Sequence, residues 1–192
     1  TLRTLAAACA FAIASQAGAA VLQVNTSGIL TGATGVDVGG TLYNVTFADG
    51  SCNSLFNSCV QSAFAFNTFA DVRLAGIALL DQVYIDSSAG EFDSATSNIL
   101  GCVSPYQCVG AIPYSFTGAE VNTLWVVNNI SNIEDWLVYS SFETTDDTNN
   151  FPAIHYVNFE LATLAIDVPE PTSIALFGLA LAGLAFNRRR KA

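Results

Sequence analysis

Of five cysteines, Cys9 belongs to the N-terminal segment; the other four, one histidine and several clustered carboxylates are the residues of this chain with chemistry to offer. Cys52, Cys59, Cys102 and Cys108 come as two close pairs, and His155 is the sole imidazole. Thiolates with an imidazole could hold zinc. Structural zinc sites favour Cys-x-x-Cys spacing, however, which neither pair shows, and His155 is far away in sequence. Each pair brackets a short Ser/Asn- or Pro-containing loop, so disulfides Cys52–Cys59 and Cys102–Cys108 are expected out of three possible pairings. Such small loops constrain the unfolded chain little, and each bridge contributes only ~2 kcal/mol.

Hydrolysis finds no set of partners. A nucleophile would need His155 as its base, but His155 falls inside a strand pattern and is expected to be a partly exposed sheet residue. No Gly-x-Ser-x-Gly elbow occurs. Glu134-Asp135 and Asp146-Asp147 are neighbours in sequence, which reads as solvated loop charge rather than a glycosidase pair. No Gly-rich phosphate loop opens a helix. Calcium is the best chemical alternative: Asp86, Glu91 and Asp93 surround Gly90, and Asp146-Asp147 lies in an Asn/Thr-rich loop. Hard oxygen ligands suit that ion, yet neither run fits the Asp-x-Asp-x-Asp-Gly loop. No catalytic residue, metal or cofactor is therefore assigned from the sequence.

The elements that must carry these residues follow from periodicity. Val36 to Phe47 reads as a hairpin turned at Gly39-Gly40. Thr68 to Tyr84 reads as the one long helix, capped by Thr68 with Asp71 in its first turn. Asp71, Ala75, Ala78 and Gln82 share a narrow stripe. Phe69, Val72, Leu74, Gly76, Ile77, Leu79, Leu80, Val83 and Tyr84 take the broad opposite face. Arg73 projects onto that apolar face, where its head is expected to meet a carboxylate at the margin of the core. Three strands follow, Val121 to Asn128, Trp136 to Phe142, and a last and longest one from Ala153 to Ile166. One helix and five or so strands joined by short turns predict an α+β fold, a mostly antiparallel sheet with the long helix packed on it.

Charge narrows the partners. From Ala20 to Val168, Arg73 is the one basic residue against fifteen carboxylates. A surface this acidic repels nucleic acid and anionic lipid. The body, residues 20–167, suits a single acidic domain.

The two ends read differently. Arg3, the apolar stretch Leu5 to Ala14 and Ala17-Gly18-Ala19 form a signal peptide over residues 1–19, cut after Ala19 or Ala20. At the other end Val168, Pro169, Glu170 and Pro171 precede an apolar run to Phe186, then Arg188, Arg189, Arg190 and Lys191. Prolines 169 and 171 cannot lie inside a regular helix and mark its outer boundary. Residues 172–187 would extend roughly 24 Å as a helix, a short membrane span that snorkelling arginines can complete. The basic end stays on the cytoplasmic side.

This tail, residues 168–192, resembles the PEP-CTERM sorting signal of exported Gram-negative proteins. The resemblance rests on Val168-Pro169-Glu170-Pro171, the apolar segment with Gly178 and Gly183, and Arg188-Arg189-Arg190. It implies recognition of Pro169, Glu170 and Pro171 by exosortase, a membrane protease-transpeptidase, after passage through the secretion translocon. It further implies transient anchoring in the inner membrane, then delivery to the cell surface or beyond. The body is expected to be a non-enzymatic envelope or extracellular-matrix protein associated with surface polysaccharide. A calcium-dependent binding module or an exported enzyme is the alternative.

Overall fold

The computed structural model describes residues 19–163. The strands are β1 Val21–Val24, β2 Leu30–Val38, β3 Thr41–Ala48, β4 Gln107–Phe116, β5 Glu120–Asn129, β6 Trp136–Glu143 and β7 Ile154–Leu161. A one-turn helix, α1 Cys52–Leu55, and the long helix, α2 Phe69–Gln82, lie between β3 and β4. The described strands form one seven-stranded sheet in the order β1-β2-β3-β7-β4-β5-β6. Every pairing is antiparallel except β4 with β7. The expected α+β class, a mostly antiparallel sheet with one long helix, is the observed one. No helix among the described residues is long and apolar enough to cross a membrane. The expected signal peptide and sorting tail, with Val168, Pro169, Glu170, Pro171, Arg188, Arg189 and Arg190, lie outside the described residues.

The hairpin forms as its turn chemistry dictates. Val38 pairs with Thr41, and Gly39 and Gly40 take φ of 61° and 91°, angles that suit glycine in a two-residue turn. The Asp37 carboxylate accepts the Gly40 N–H and locks the turn. Helix α2 begins where its cap predicts, with the Thr68 hydroxyl accepting the Asp71 N–H.

The buried face of α2 differs from the expected one. Val72, Ala75, Gly76, Ala78 and Leu79 are buried, while Phe69 and Leu74 are exposed. Small residues let the helix settle close on the sheet, so the contact stripe is narrow. A Cβ on Gly76 would stand 2.7 Å from Leu124 and 3.0 Å from Leu137. Gln82 is not a solvent residue either. It donates to the Asp37 carbonyl and accepts the Asp37 N–H, pinning α2 to β2. Arg73 falls about 100° around the helix from Val72 and is exposed, rather than lying on the core face. Burial and the neighbouring Tyr114 raise the Tyr139 pKa, and the Arg73 charge only partly opposes them. Arg73→Met is accordingly expected to leave stability within ~0.5 kcal/mol by urea unfolding; a loss of several kcal/mol would mean a buried ion pair after all.

Two further corrections concern strands. β1 and β4 escaped the sequence reading, and β7 stops at Leu161, which makes it shorter than the ten-residue β4 and β5. The sheet has a core on each face. Leu30, Val36, Val45, Phe47, Leu79, Leu124 and Val157 lie in the one under α2. Cys52, Phe56, Phe64, Ala111, Phe142 and Tyr156 lie in the other. Above that second core Asn57, Ser58 and Cys59 run consecutively at φ of 46°, 63° and 56°. Left-handed residues other than glycine are costly, and here the run is bracketed by the Cys52–Cys59 bridge.

Candidate functional site

The densest chemistry lies beneath α2, where three segments bring one residue each to the central strands. β7 sits between β3 and β4, so both of its edges are paired, and a core lies on each of its faces. His155 is consequently fully buried, not partly exposed as its strand pattern suggested. Cys108 is the second residue of β4, and Cys102 bridges to Ala153 just before β7. Their sulfurs are bonded to each other, as are those of Cys52 and Cys59. Both short-loop pairings match the expectation.

The His155 Nδ1 lies 3.5 Å from the Cys102 sulfur and 3.6 Å from the Cys108 sulfur. On its far side Nε2 lies 2.9 Å from the Tyr84 hydroxyl. Tyr84 is aimed there by the closing turn of α2, where the N–H groups of Val83 and Tyr84 both bond the Leu79 carbonyl. The Phe47 ring packs against the imidazole at 4.5 Å. Burial lowers the His155 pKa to about 3 and raises that of Tyr84, so both stay neutral.

Gly110 makes this arrangement possible. It pairs with His155 across the parallel ladder, and a Cβ there would stand 2.5 Å from the Tyr84 hydroxyl and 2.8 Å from Val157. Gly110→Ala must displace Tyr84 and separate it from His155. The expected cost is about 1–3 kcal/mol, read as a lower urea midpoint; unchanged stability would mean the network has slack.

The acidic residues singled out from the sequence form no group of three or more with ligand atoms within 4.8 Å of one another among the described residues, although Asp86 lies near Asp93 and Asp93 near Asp135. Asp86 Oδ1 accepts the N–H groups of Asp93 and Ser94. Burial alone would raise its pKa, but hydrogen bonds from Ser94, Asp93 and Phe92 lower it. Burial and the nearby Asp86 charge raise Asp93. Asp146 accepts the Glu143 N–H, and Asp147 caps the turn at Asn149. The Asp86, Asp146 and Asp147 oxygens accept backbone N–H groups, and the Asp93 carboxylate meets the Ser131 side chain. Among the described residues, Cys102, Cys108 and His155 are the one group whose potential ligand atoms all lie within 4.8 Å of one another. Sequence reading set that group aside because His155 is remote in sequence. The missing signal was β4, which places Cys108 beside β7.

On the surface, Thr41, Tyr43, Asn67, Asp71 and Leu74 line an open groove of about 330 Å³. Phe69 packs on Tyr139 with ring centroids 4.3 Å apart and the rings tilted, and Trp136 and Val138 are exposed on the edge strand β6.

No curated protein and no solved structure matches this chain. A known family does match the C-terminal residues 167–191, the PEP-CTERM protein-sorting motif. It spans the Pro-Glu-Pro element, the apolar segment and the arginines at Arg188 to Arg190. The chain therefore carries, at its C-terminal end, the sorting motif of PEP-CTERM proteins.

Proposed function

We propose that this chain is an exported, non-enzymatic protein of the cell envelope or extracellular matrix, delivered by exosortase-type processing of its C-terminal motif. The match over residues 167–191 carries the reading. The body supports it. Its two disulfides suit an oxidising compartment outside the cytoplasm. Its acidic composition keeps it soluble and away from anionic lipid. Its sole imidazole is sealed within the core rather than offered to a substrate.

The exposed aromatic pair Phe69 and Tyr139, and the groove lined by Tyr43, Asn67 and Asp71, favour contact with a neutral surface polysaccharide over contact with a polyanion. Calcium remains the runner-up ligand, and its addition is expected to leave the melting temperature unchanged. An upward shift would favour a calcium-dependent module instead. The main reading is tested by fractionating cells with and without their exosortase. The processed protein should appear at the surface in the first and as a larger membrane-bound form in the second. Identical products in both strains would remove exosortase from the account.

A further inference from the structure

The geometry points to a latent zinc site at Cys102, Cys108 and His155, closed by the disulfide in the oxidised chain and available to the metal once that disulfide is reduced. This goes beyond the delivery function and does not depend on it.

Distances carry the first part of the argument. Zinc binds thiolate sulfur at about 2.3 Å and imidazole nitrogen at about 2.0–2.1 Å in tetrahedral sites. Those bonds place nitrogen and sulfur about 3.6 Å apart across the metal. Nδ1 of His155 already stands 3.5 Å and 3.6 Å from the two sulfurs. Only the sulfur–sulfur separation must widen, to about 3.8 Å, and the Cα atoms are 5.5 Å apart. Rotation of the two cysteine side chains can supply that.

The surroundings carry the second part. A zinc-bound histidine generally donates its other N–H to a neighbour that fixes the ring. Here the Tyr84 hydroxyl waits at Nε2, so the tautomer with Nε2 protonated leaves the Nδ1 lone pair facing the sulfurs. Asn128 stands directly opposite Cys108 in the β4–β5 ladder and therefore shares its face of the sheet. It is fully buried, its Nδ2 donates to the Phe92 carbonyl, and its Oδ1 has no hydrogen-bond partner. A buried oxygen without a partner is costly, and this one belongs to the residue paired directly with Cys108. Zinc with two thiolates is also electrically neutral, which a sealed core tolerates. The loop joining the cysteines offers the way in, since Val103 and Tyr106 on it are exposed.

The chemistry balances with a dithiol reductant. It delivers two electrons and two protons to the Cys102–Cys108 bond and leaves as its own disulfide. Zinc then displaces both thiol protons to solvent, and two S–Zn bonds and one N–Zn bond form.

Cobalt(II) titration of the body, reduced and kept anaerobic, tests the site with zinc as competitor. The expected result is one equivalent of tetrahedral cobalt per chain with sulfur-to-cobalt charge-transfer absorption, displaced by zinc. The Cys52→Ser/Cys59→Ser variant should retain that absorption, and His155→Phe should bind at least tenfold more weakly. If reduction unfolds the chain, zinc should restore its circular dichroism. Folded reduced protein without the absorption, unfolded reduced protein that zinc does not restore, or loss of the absorption in folded Cys52→Ser/Cys59→Ser would each overturn the proposal.

Discussion

Replacing Pro169, Glu170 and Pro171 with alanine is expected to abolish maturation and leave a larger chain in the membrane fraction. The reason is conformational as well as chemical. Each proline fixes its own φ, and Pro171 also disfavours the helical region for Glu170. The sequence of the tripeptide thus favours an extended backbone, with one carboxylate between two prolines. Alanine is the best helix former, so three of them would lift the sequence's bar to helix at these positions and remove both the preferred shape and the charge. The domain itself should be unaffected, because the sheet ends at Leu161. Processing should fall at least tenfold while both disulfides still form. Normal maturation of the variant would show that the cell reads some other part of the tail.

The second large effect is acid destabilisation through His155 in the oxidised protein. Burial lowers its pKa from 6.5 to about 3. Above pH 6.5 the imidazole is neutral in both folded and unfolded chains and contributes no pH dependence. Between 6.5 and 3 the unfolded chain takes up a proton that the folded chain refuses, so stability falls as pH falls. The slope is about 1.4 kcal/mol per pH unit. Asp49, Asp93 and Asp135, all raised chiefly by burial, act in the opposite sense near the carboxylate range. A reference variant isolates the histidine. Tyr84→Phe/His155→Phe removes both members of the hydrogen bond and leaves no stranded hydroxyl. From pH 6.5 to 4.5 the wild type should lose about 2.3 kcal/mol relative to this variant, roughly 7 °C in melting temperature. Parallel pH profiles would mean that His155 is solvated or protonated in the folded state.

Local signals survived the passage from sequence to structure, and long-range ones did not. The Gly39-Gly40 turn, the Thr68 cap and the two short cysteine loops are each decided within a few residues, and each appears where expected. The sorting tail is legible for the same reason, since motif, apolar run and basic end are contiguous. β4 was hidden because Gly110 and Pro113 read as strand breakers. In the structure Gly110 makes room for Tyr84, and the ladder shifts register just after Pro113. The buried arc of α2 was misjudged because hydropathy ranks Leu74 above Ala75, whereas close packing on Leu124 and Val126 selects the smaller residues. His155 looked like one more strand residue. Its burial, and its place against Cys102 and Cys108, depend on β7 lying at the centre of the sheet, which no local pattern encodes.

The most direct test is mass spectrometry of the protein recovered from the cells that make it, with both termini sequenced and thiols counted. The account predicts a chain that begins just after Ala19 or Ala20, has lost the apolar segment beyond Pro171, and holds no free thiol. A chain still joined to Ala192, keeping its first nineteen residues and five reactive cysteines in the cytosol, would contradict it.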